Sequence, residues 1–253
     1  MAAVINSLNN FRVIQWHKLK DKAQRGRQKL FIAEGWHLVS AAAKAGALAE
    51  VVTTEKSAGF DVPAWQVTHD VMEKLSSLAT PSKILGICRQ KEPAGYEDNI
   101  LLVDQIHHPG NLGTIIRCAA AFGVDTVAVD NSADIYNQKV IQSTQGTIFS
   151  VNIIKTPLKE FIIELKKQNY QIVGTDVRGG AALGAVVPAK KRALLVGNEA
   201  EGVGAGLKEM CDVSVRIAMD EACESLNVGV AAGIILHYFY IGASRMQTAH
   251  KHA

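Results

Sequence analysis

Cysteine is scarce and scattered in this chain: Cys88, Cys118, Cys211 and Cys223 include no C-x-x-C pair. The usual zinc-ligand spacing is therefore missing, the histidines do not supply it, and no metal is expected. A disulfide framework belongs to small secreted chains rather than to one of 253 residues, so reduced thiols are expected. Aromatic residues make up only 6% of the sequence, whereas Ala and Gly are plentiful, which favours close helix–strand packing over an aromatic-rich β sandwich. Long hydrophobic runs are lacking too. The longest, 228–241, is interrupted by His237 and falls short of the about 20 residues that cross a bilayer. The opening MAAVINSLNNFRVIQWHKLK has no apolar h-region of a secretory signal. A cytoplasmic protein with no membrane partner is expected. Two nucleotide fingerprints are also absent. Gly197 to Gly202 has the outline of a phosphate loop, but no Lys-Ser/Thr follows, and Gly202, Gly204 and Gly206 are spaced two apart rather than as G-x-G-x-x-G. P-loop chemistry is excluded, and a nicotinamide-dependent oxidoreductase is disfavoured.

Charge is present, and unevenly placed. Residues 1–96 carry 13 Lys or Arg against 8 Asp or Glu, the remainder 14 against 16. A basic module joined to a mildly acidic one suits a protein that grips a polyanion with one part and does chemistry with the other. On charge alone, Lys18, Lys20, Lys22, Arg25, Arg27 and Lys29 are better read as solvating one or two helix faces. The polar stretch 91–99, KEPAGYEDN, contains Pro93 and Gly95 and is the best boundary in the chain.

Before that boundary the pattern is a small alternating α/β module. Residues 10–29 are helix-compatible, with Phe11, Ile14 and Leu19 as apolar anchors. LFIAEG (30–35), 48–53, 65–68 and 84–89 read as strands, with helices over 36–46 and 69–78. After it come apolar strands at 100–104, 124–130, 149–154, 171–176, 192–197 and 213–217, separated for the most part by helical stretches at 112–122, 139–143, 157–168 and 226–244. Apolar strands alternating with helices predict an α/β fold with a parallel sheet covered on both faces.

In such a sheet, ligands bind beyond the carboxyl ends of the strands. Three loops stand out there. In HHPGNLGTIIRCAAAFG (107–123), Asn111 is a credible N-cap for the helix 112–122, and Arg117 lies among Ile115, Ile116, Cys118 and Ala119. An Arg in so apolar a setting must reach a carboxylate, a phosphate or solvent. In LLVGNEAEGVGAG (194–206), a strand runs into a tight turn with backbone groups exposed and Glu199 beside them. In 216–239, Ser225 is an N-cap candidate and Asn227 falls in the first turn, where Asn serves better as a polar ligand group than as a helix former. Taken singly, each loop is also an ordinary strand-to-helix connection.

Taken together, NLGTIIRCAAAFG, LLVGNEAEGV and ESLNVGVAAGI resemble motifs 1, 2 and 3 of the SpoU (TrmH) family of RNA methyltransferases, in the SPOUT superfamily, over about residues 101–240. Residues 22–56 resemble the ribosomal-protein-like substrate-binding module of many members. The resemblance implies an RNA substrate-binding domain at 1–92 and a SPOUT methyltransferase domain at 97–253, a parallel sheet with a deep C-terminal trefoil knot. The cofactor it implies is S-adenosyl-L-methionine. Gly197, Ile217 and Leu226 would line that pocket, with Thr175 a secondary candidate. Arg117 matches the family arginine assigned to activating the hydroxyl, while Asn111, Glu199, Ser225 and Asn227 match positions that place the ribose. The implied product is a 2′-O-methylated ribose in ribosomal or transfer RNA, and the implied assembly is a homodimer. A base methyltransferase, or a non-catalytic RNA-binding protein of the same fold, stays open. The chain departs from the family pattern in three places: Ala218 where Pro is frequent, Gly229 where Ser is common, and His107-His108 where an acidic residue often precedes the Pro.

Overall fold

The computed structural model describes residues 4–249. It divides into two compact units, the first formed by residues up to 92 with 134–150, the second by 93–133 with 151 onward. The stretch 134–150, sequentially part of the C-terminal half, thus folds with the first unit.

In chain order the first unit contributes α1 (Phe11–Lys18), α2 (Lys22–Gln28), β1 (Leu30–Glu34), α3 (Trp36–Lys44), β2 (Leu48–Thr53), β3 (Ala64–Gln66), α4 (His69–Leu75) and β4 (Ile84–Arg89). The second opens with β5 (Asn99–Asp104), α5 (Pro109–Ala121) and β6 (Thr126–Asp130). Helix α6 (Gln138–Thr144) belongs to the first unit. The second resumes with β7 (Asn152–Lys155), α7 (Leu158–Lys167), β8 (Gln171–Thr175), β9 (Ala181–Ala182), β10 (Arg192–Val196), α8 (Ala205–Lys208), β11 (Val213–Arg216) and α9 (Val228–Ala249).

The first unit is a four-stranded sheet, β1-β4-β2-β3, with β4 antiparallel to both neighbours. Residues 10–29 form two helices rather than one. The Asp21 carboxylate accepts from the Gln24 amide and starts α2 afresh. Of the expected apolar anchors Leu19 is buried, but Phe11 is 72% exposed and Ile14 is exposed as well. Val13 and Trp16 take their place, entering with Leu19 a core with Ile32, Val52, Met72 and Leu85. Of the basic run, Arg25 is buried. It pairs with Asp134 at 2.5 Å and donates to the carbonyls of Leu19 and Lys20, so it holds the unit together instead of facing a ligand.

The second unit carries a seven-stranded sheet, β7-β6-β5-β10-β8-β11-β9, in which every pairing is parallel. Alternation along the strands serves two faces. Ile100, Leu102, Ala193 and Leu195 pack against Phe161, Ile162 and Leu165 of α7. On the other side, Leu194 lines a small cavity together with Phe122, Leu236 and Phe239 around α5 and α9. From β5 the chain moves to β6 and β7, and from β10 it moves the opposite way, past β8 to β11. The β5/β10 seam is therefore a topological switch point, where a parallel sheet opens a crevice at its carboxyl edge. Strand β7 starts later than the sequence predicts, because Thr147–Phe149 forms a 3-10 turn, and the two-residue β9 is too short to leave a hydrophobic signature. Among the described residues no helix is long and apolar enough to cross a membrane.

Candidate active site

The strand order sets three of the expected cofactor positions side by side. Thr175 ends β8, Gly197 follows β10 and Ile217 follows β11, and these strands are consecutive in the sheet, with Thr175 in register with Val215. Thr175 is half-buried, its hydroxyl donating to the Leu195 carbonyl at 3.2 Å. Ile217 and Leu226 are half-buried at the two ends of the 217–227 loop. Asp176, next to Thr175, pairs with Lys208 of α8 at 2.5 Å, and this bond holds its carboxyl below the usual carboxylate range against the opposing pull of burial.

The turn after β10 is written locally. Asn198 accepts the amides of Ala200 and Glu201 on its side-chain oxygen, an Asx-type turn, and its amide group donates to the Gln105 carbonyl beyond β5 at 3.0 Å. Gly202, at φ +73°, closes the turn by donating to the Asn198 carbonyl. The returning backbone then runs so close to Gly197 that a Cβ there would stand 2.3 Å from the Gly202 carbonyl and the Val203 nitrogen. The buried carboxylate of Asp104, at the end of β5, accepts the Gly204 amide at 3.1 Å. A narrow backbone cradle results, floored by glycine. It is a fitting receptor for a flat group held through main-chain amides and carbonyls. Asn198 and Asp104 escaped the sequence reading; the Asn four residues before a Gly was the available signal.

Three expected residues are joined in one chain of hydrogen bonds. The Asn227 side-chain oxygen accepts the amides of Gly229 and Val230 at 2.9 and 3.4 Å, so its NH2 must face outward. It donates to the Asn111 oxygen at 2.9 Å, which in turn aims the Asn111 NH2 at Glu199 Oε1, 2.6 Å away. The first turn of α9 thereby fixes the polarity of the whole chain. Glu199 is exposed, and its Oε2 has no hydrogen-bond partner among the described residues.

Two cap assignments are corrected. Helix α5 begins at Pro109, with His108 as N-cap and its Nδ1 3.4 Å from the Asn111 amide, so Asn111 lies in the first turn and its side chain is free for the site. Helix α9 is capped by Asn227 and not by Ser225, which is exposed in the preceding loop, its carbonyl accepting from Cys223 at 3.2 Å. The structure does not bring the Ser225 side chain into the chain of bonds. Arg117 stands apart as well, exposed on α5, with no ion pair among the described residues. Asn227→Ala should cost about 1 kcal/mol through loss of the cap, while Asn227→Asp keeps it. Thermal melts that leave both variants at the wild-type midpoint would contradict the cap.

Helices α5 and α9 approach closely where side chains are small. A Cβ on Gly229 would lie 2.9 Å from Thr114 Cγ2, and one on Gly233 3.2 Å from Cys118 Sγ. The departure at Gly229 therefore has a steric reason in this chain, since a serine would force α9 away from α5. Among the described residues no group of three or more His, Cys, Asp or Glu side chains is placed to hold a metal ion.

The SpoU rRNA Methylase family model matches residues 98–237, and an MRM3-like substrate binding domain model matches residues 10–86. The chain is similar to the 23S rRNA (guanosine(2553)-2′-O)-methyltransferase RlmP of Bacillus subtilis, 33% identical over 242 residues, 92% of this chain and 98% of that one. A crystal structure of an RNA 2′-O ribose methyltransferase superposes with a TM-score of 0.84 at 26% identity, covering 95% of this chain and 99% of the other. An AdoMet-bound rRNA methyltransferase from Sinorhizobium meliloti gives 0.83, also at 26% identity, covering 94% and 97%.

Proposed function

The chain belongs to the SpoU rRNA methylase family, and from that membership we propose that it is an S-adenosyl-L-methionine-dependent RNA methyltransferase acting on a ribose 2′-oxygen of ribosomal RNA. The observation that carries the reading is the alignment of a glycine-floored backbone cradle at 197–203 with the Glu199–Asn111–Asn227 hydrogen-bond chain at one sheet edge. The cradle fits a cofactor held through backbone groups, and Thr175, Gly197, Ile217 and Leu226 are the residues that would hold it. When bound, the cofactor supplies an electrophilic methyl for in-line displacement, a reaction that calls for alignment and exclusion of water. The trefoil knot implied by the resemblance is part of this reading, supported by the strand order that carries the chain from β10 past β8 to β11 and back to α5 through α9.

The polar residues divide the remaining work. Asn111 and Asn227, locked in orientation, place the ribose. Glu199 Oε2 accepts the hydrogen of the attacking hydroxyl. Arg117 cannot serve as a base, because guanidinium hardly ever deprotonates in proteins. Its role is to hold the target phosphate and to stabilise negative charge developing on the oxygen. Ser225, outside the hydrogen-bond chain, keeps a place in the site only as part of the loop that closes over it. Incubation with radiolabelled S-adenosyl-L-methionine and 23S rRNA transcripts, followed by mapping of the labelled ribose, tests the proposal; label on a base would overturn it.

We assign RNA binding to the 1–92 domain and methyl transfer to 97–253. Within the basic run 18–29, Arg25 is buried in an ion pair, Lys20 donates to the carbonyls of Lys74 and Ser76 and Lys29 pairs with Glu92, which leaves the exposed Lys18, Lys22 and Arg27 to meet phosphate. Transfer RNA is the second possible substrate. A cytoplasmic setting accords with the four free thiols, three of them pushed up by burial: Cys88 to about 12, Cys211 to about 11, and Cys118.

Homodimerisation belongs to the same proposal. Val230, Ile234 and His237 share one exposed face of α9, with Tyr240 at its margin, and α9 packs against α5, which carries the exposed Arg117. A second copy covering that face would bring Arg117 toward a neighbouring site. Ile234→Glu should then weaken the dimer by about 10²-fold, the equivalent of burying an aliphatic side chain. Light scattering across a dilution series reads it; an unchanged dimer would remove α9 from the interface.

A further inference from the structure

The first unit holds a cavity of about 380 Å³ that no step above uses. Its size falls within the roughly 300–1,000 Å³ of small-ligand sites. Its floor is aromatic. Phe31 lies between Tyr136, at 4.8 Å between ring centroids, and Phe149, stacked at 5.9 Å with planes 24° apart. Phe31 and Tyr136 are buried, while Phe149 is the partly exposed outer member of the stack. The lining also carries Arg89, the last residue of β4, and Lys91, two residues beyond it. Both side chains reach solvent, and Arg89 spends one donor, Nη1, on the Leu48 carbonyl at 3.3 Å. The lining contains no carboxylate. The two carboxylates that act on Tyr136 are paired, Glu92 with Lys29 at 3.8 Å and Asp134 with Arg25.

An aromatic stack in a recess, rimmed by two cations and free of lining carboxylates, matches a ligand that is flat, apolar on its faces and anionic at one end. We propose that the cavity receives a single unpaired nucleotide of the RNA substrate, its base against Phe149 and its phosphate on Arg89 and Lys91. This rests on the RNA reading given above. A double-stranded helix cannot enter such a recess, so the cavity selects RNA with a splayed base. Three of the lining residues, Tyr136, Ile148 and Phe149, come from the 134–150 stretch. The pocket is therefore a property of the complete chain and not of residues 1–92 alone.

The test uses full-length protein and fluorescein-labelled hexaadenylate and hexauridylate, with binding read by anisotropy and 5′-AMP as competitor. Ala45→Trp places a bulky ring in the mouth from an exposed lining position, Phe149→Leu removes the outer ring while keeping an apolar side chain, and Lys91→Glu reverses one cation. Each is expected to weaken oligonucleotide binding by about tenfold or more, in line with the stacking of one base, with melting temperature and S-adenosyl-L-methionine affinity unchanged. Wild-type affinity in Ala45→Trp and Lys91→Glu would overturn the proposal, as would 5′-AMP binding as tightly as the hexamers, which would make a free nucleotide the ligand. Failure of the methyltransferase reading has a separate signature, loss of cofactor binding by the wild-type protein with oligonucleotide binding intact.

Discussion

Arg117→Ala is expected to lower the rate of RNA methyl transfer by about 10²- to 10³-fold, the usual consequence of removing one group that stabilises developing charge. Cofactor affinity should stay at the wild-type value, because none of the hydrogen bonds that build the 197–204 cradle involves Arg117. The side chain is exposed and makes no ion pair among the described residues, so its loss should change stability by no more than about 0.5 kcal/mol. Arg117→Lys separates the two roles given to this residue. A lysine keeps the charge but not the planar fork, so a site that needs bidentate phosphate contact will recover little activity. Single-turnover methylation and calorimetry on the same preparations read all of this. Full activity in Arg117→Ala would remove Arg117 from the mechanism, and loss of cofactor binding would show that it acts through the fold.

How much of this was legible in the sequence depended on the range of the interaction that carried it. The strands β5, β6, β8 and β10 were readable because their central residues are buried on both faces and so are apolar. The order in which they pair was not, since parallel register is set by crossovers that leave no local pattern. The helix starts were misread for a related reason. Asn111 and Ser225 are both good N-cap types, but His108 and Asn227 hold the caps, because Pro109 fixes the backbone for a helix start and the Asn227 oxygen is the one that reaches two amides. That error conceals a functional point: with His108 on the cap the whole Asn111 side chain is released for the site, whereas Asn227 caps through its oxygen alone and keeps its NH2 for Asn111. The anchors of α1 failed on phase. Phe11 and Ile14 fit a helical spacing as well as Val13 and Trp16 do, and only the position of β1 and β4 behind the helix decides between them. The pairing of Glu199 with Asn111, 88 positions away, became visible only as a consequence of three motifs recurring in a known order.

Gly197→Ala should be the more damaging change, although it adds a single methyl group. That methyl would stand 2.3 Å from the Gly202 carbonyl carbon and oxygen and from the Val203 nitrogen, all of them backbone atoms with no rotamer through which to yield. Relief requires the 198–203 turn to move, and the turn is tied at both ends: Asn198 is bonded to the Gln105 carbonyl, and the Gly204 amide to the buried Asp104. Overpacking a well-ordered core costs about 1–3 kcal/mol, and a rigid backbone neighbour places this site at the top of that range. In a protein of this size about 3 kcal/mol lowers the melting midpoint by roughly 6–12 °C. Function should suffer beyond stability, because any shift that admits the methyl also displaces the amides and carbonyls proposed to hold the cofactor. Calorimetric affinity for S-adenosyl-L-methionine is therefore expected to fall by at least about tenfold at temperatures where the variant is fully folded, a loss of roughly 1.4 kcal/mol. Gly206→Ala is the matched control. It lies in α8 with nothing within 4 Å of its Cβ, so alanine there should be neutral or stabilising by up to about 1 kcal/mol. If Gly197→Ala melted and bound cofactor like Gly206→Ala, the 197–203 cradle would be neither as tight as its geometry indicates nor the place where the cofactor is held.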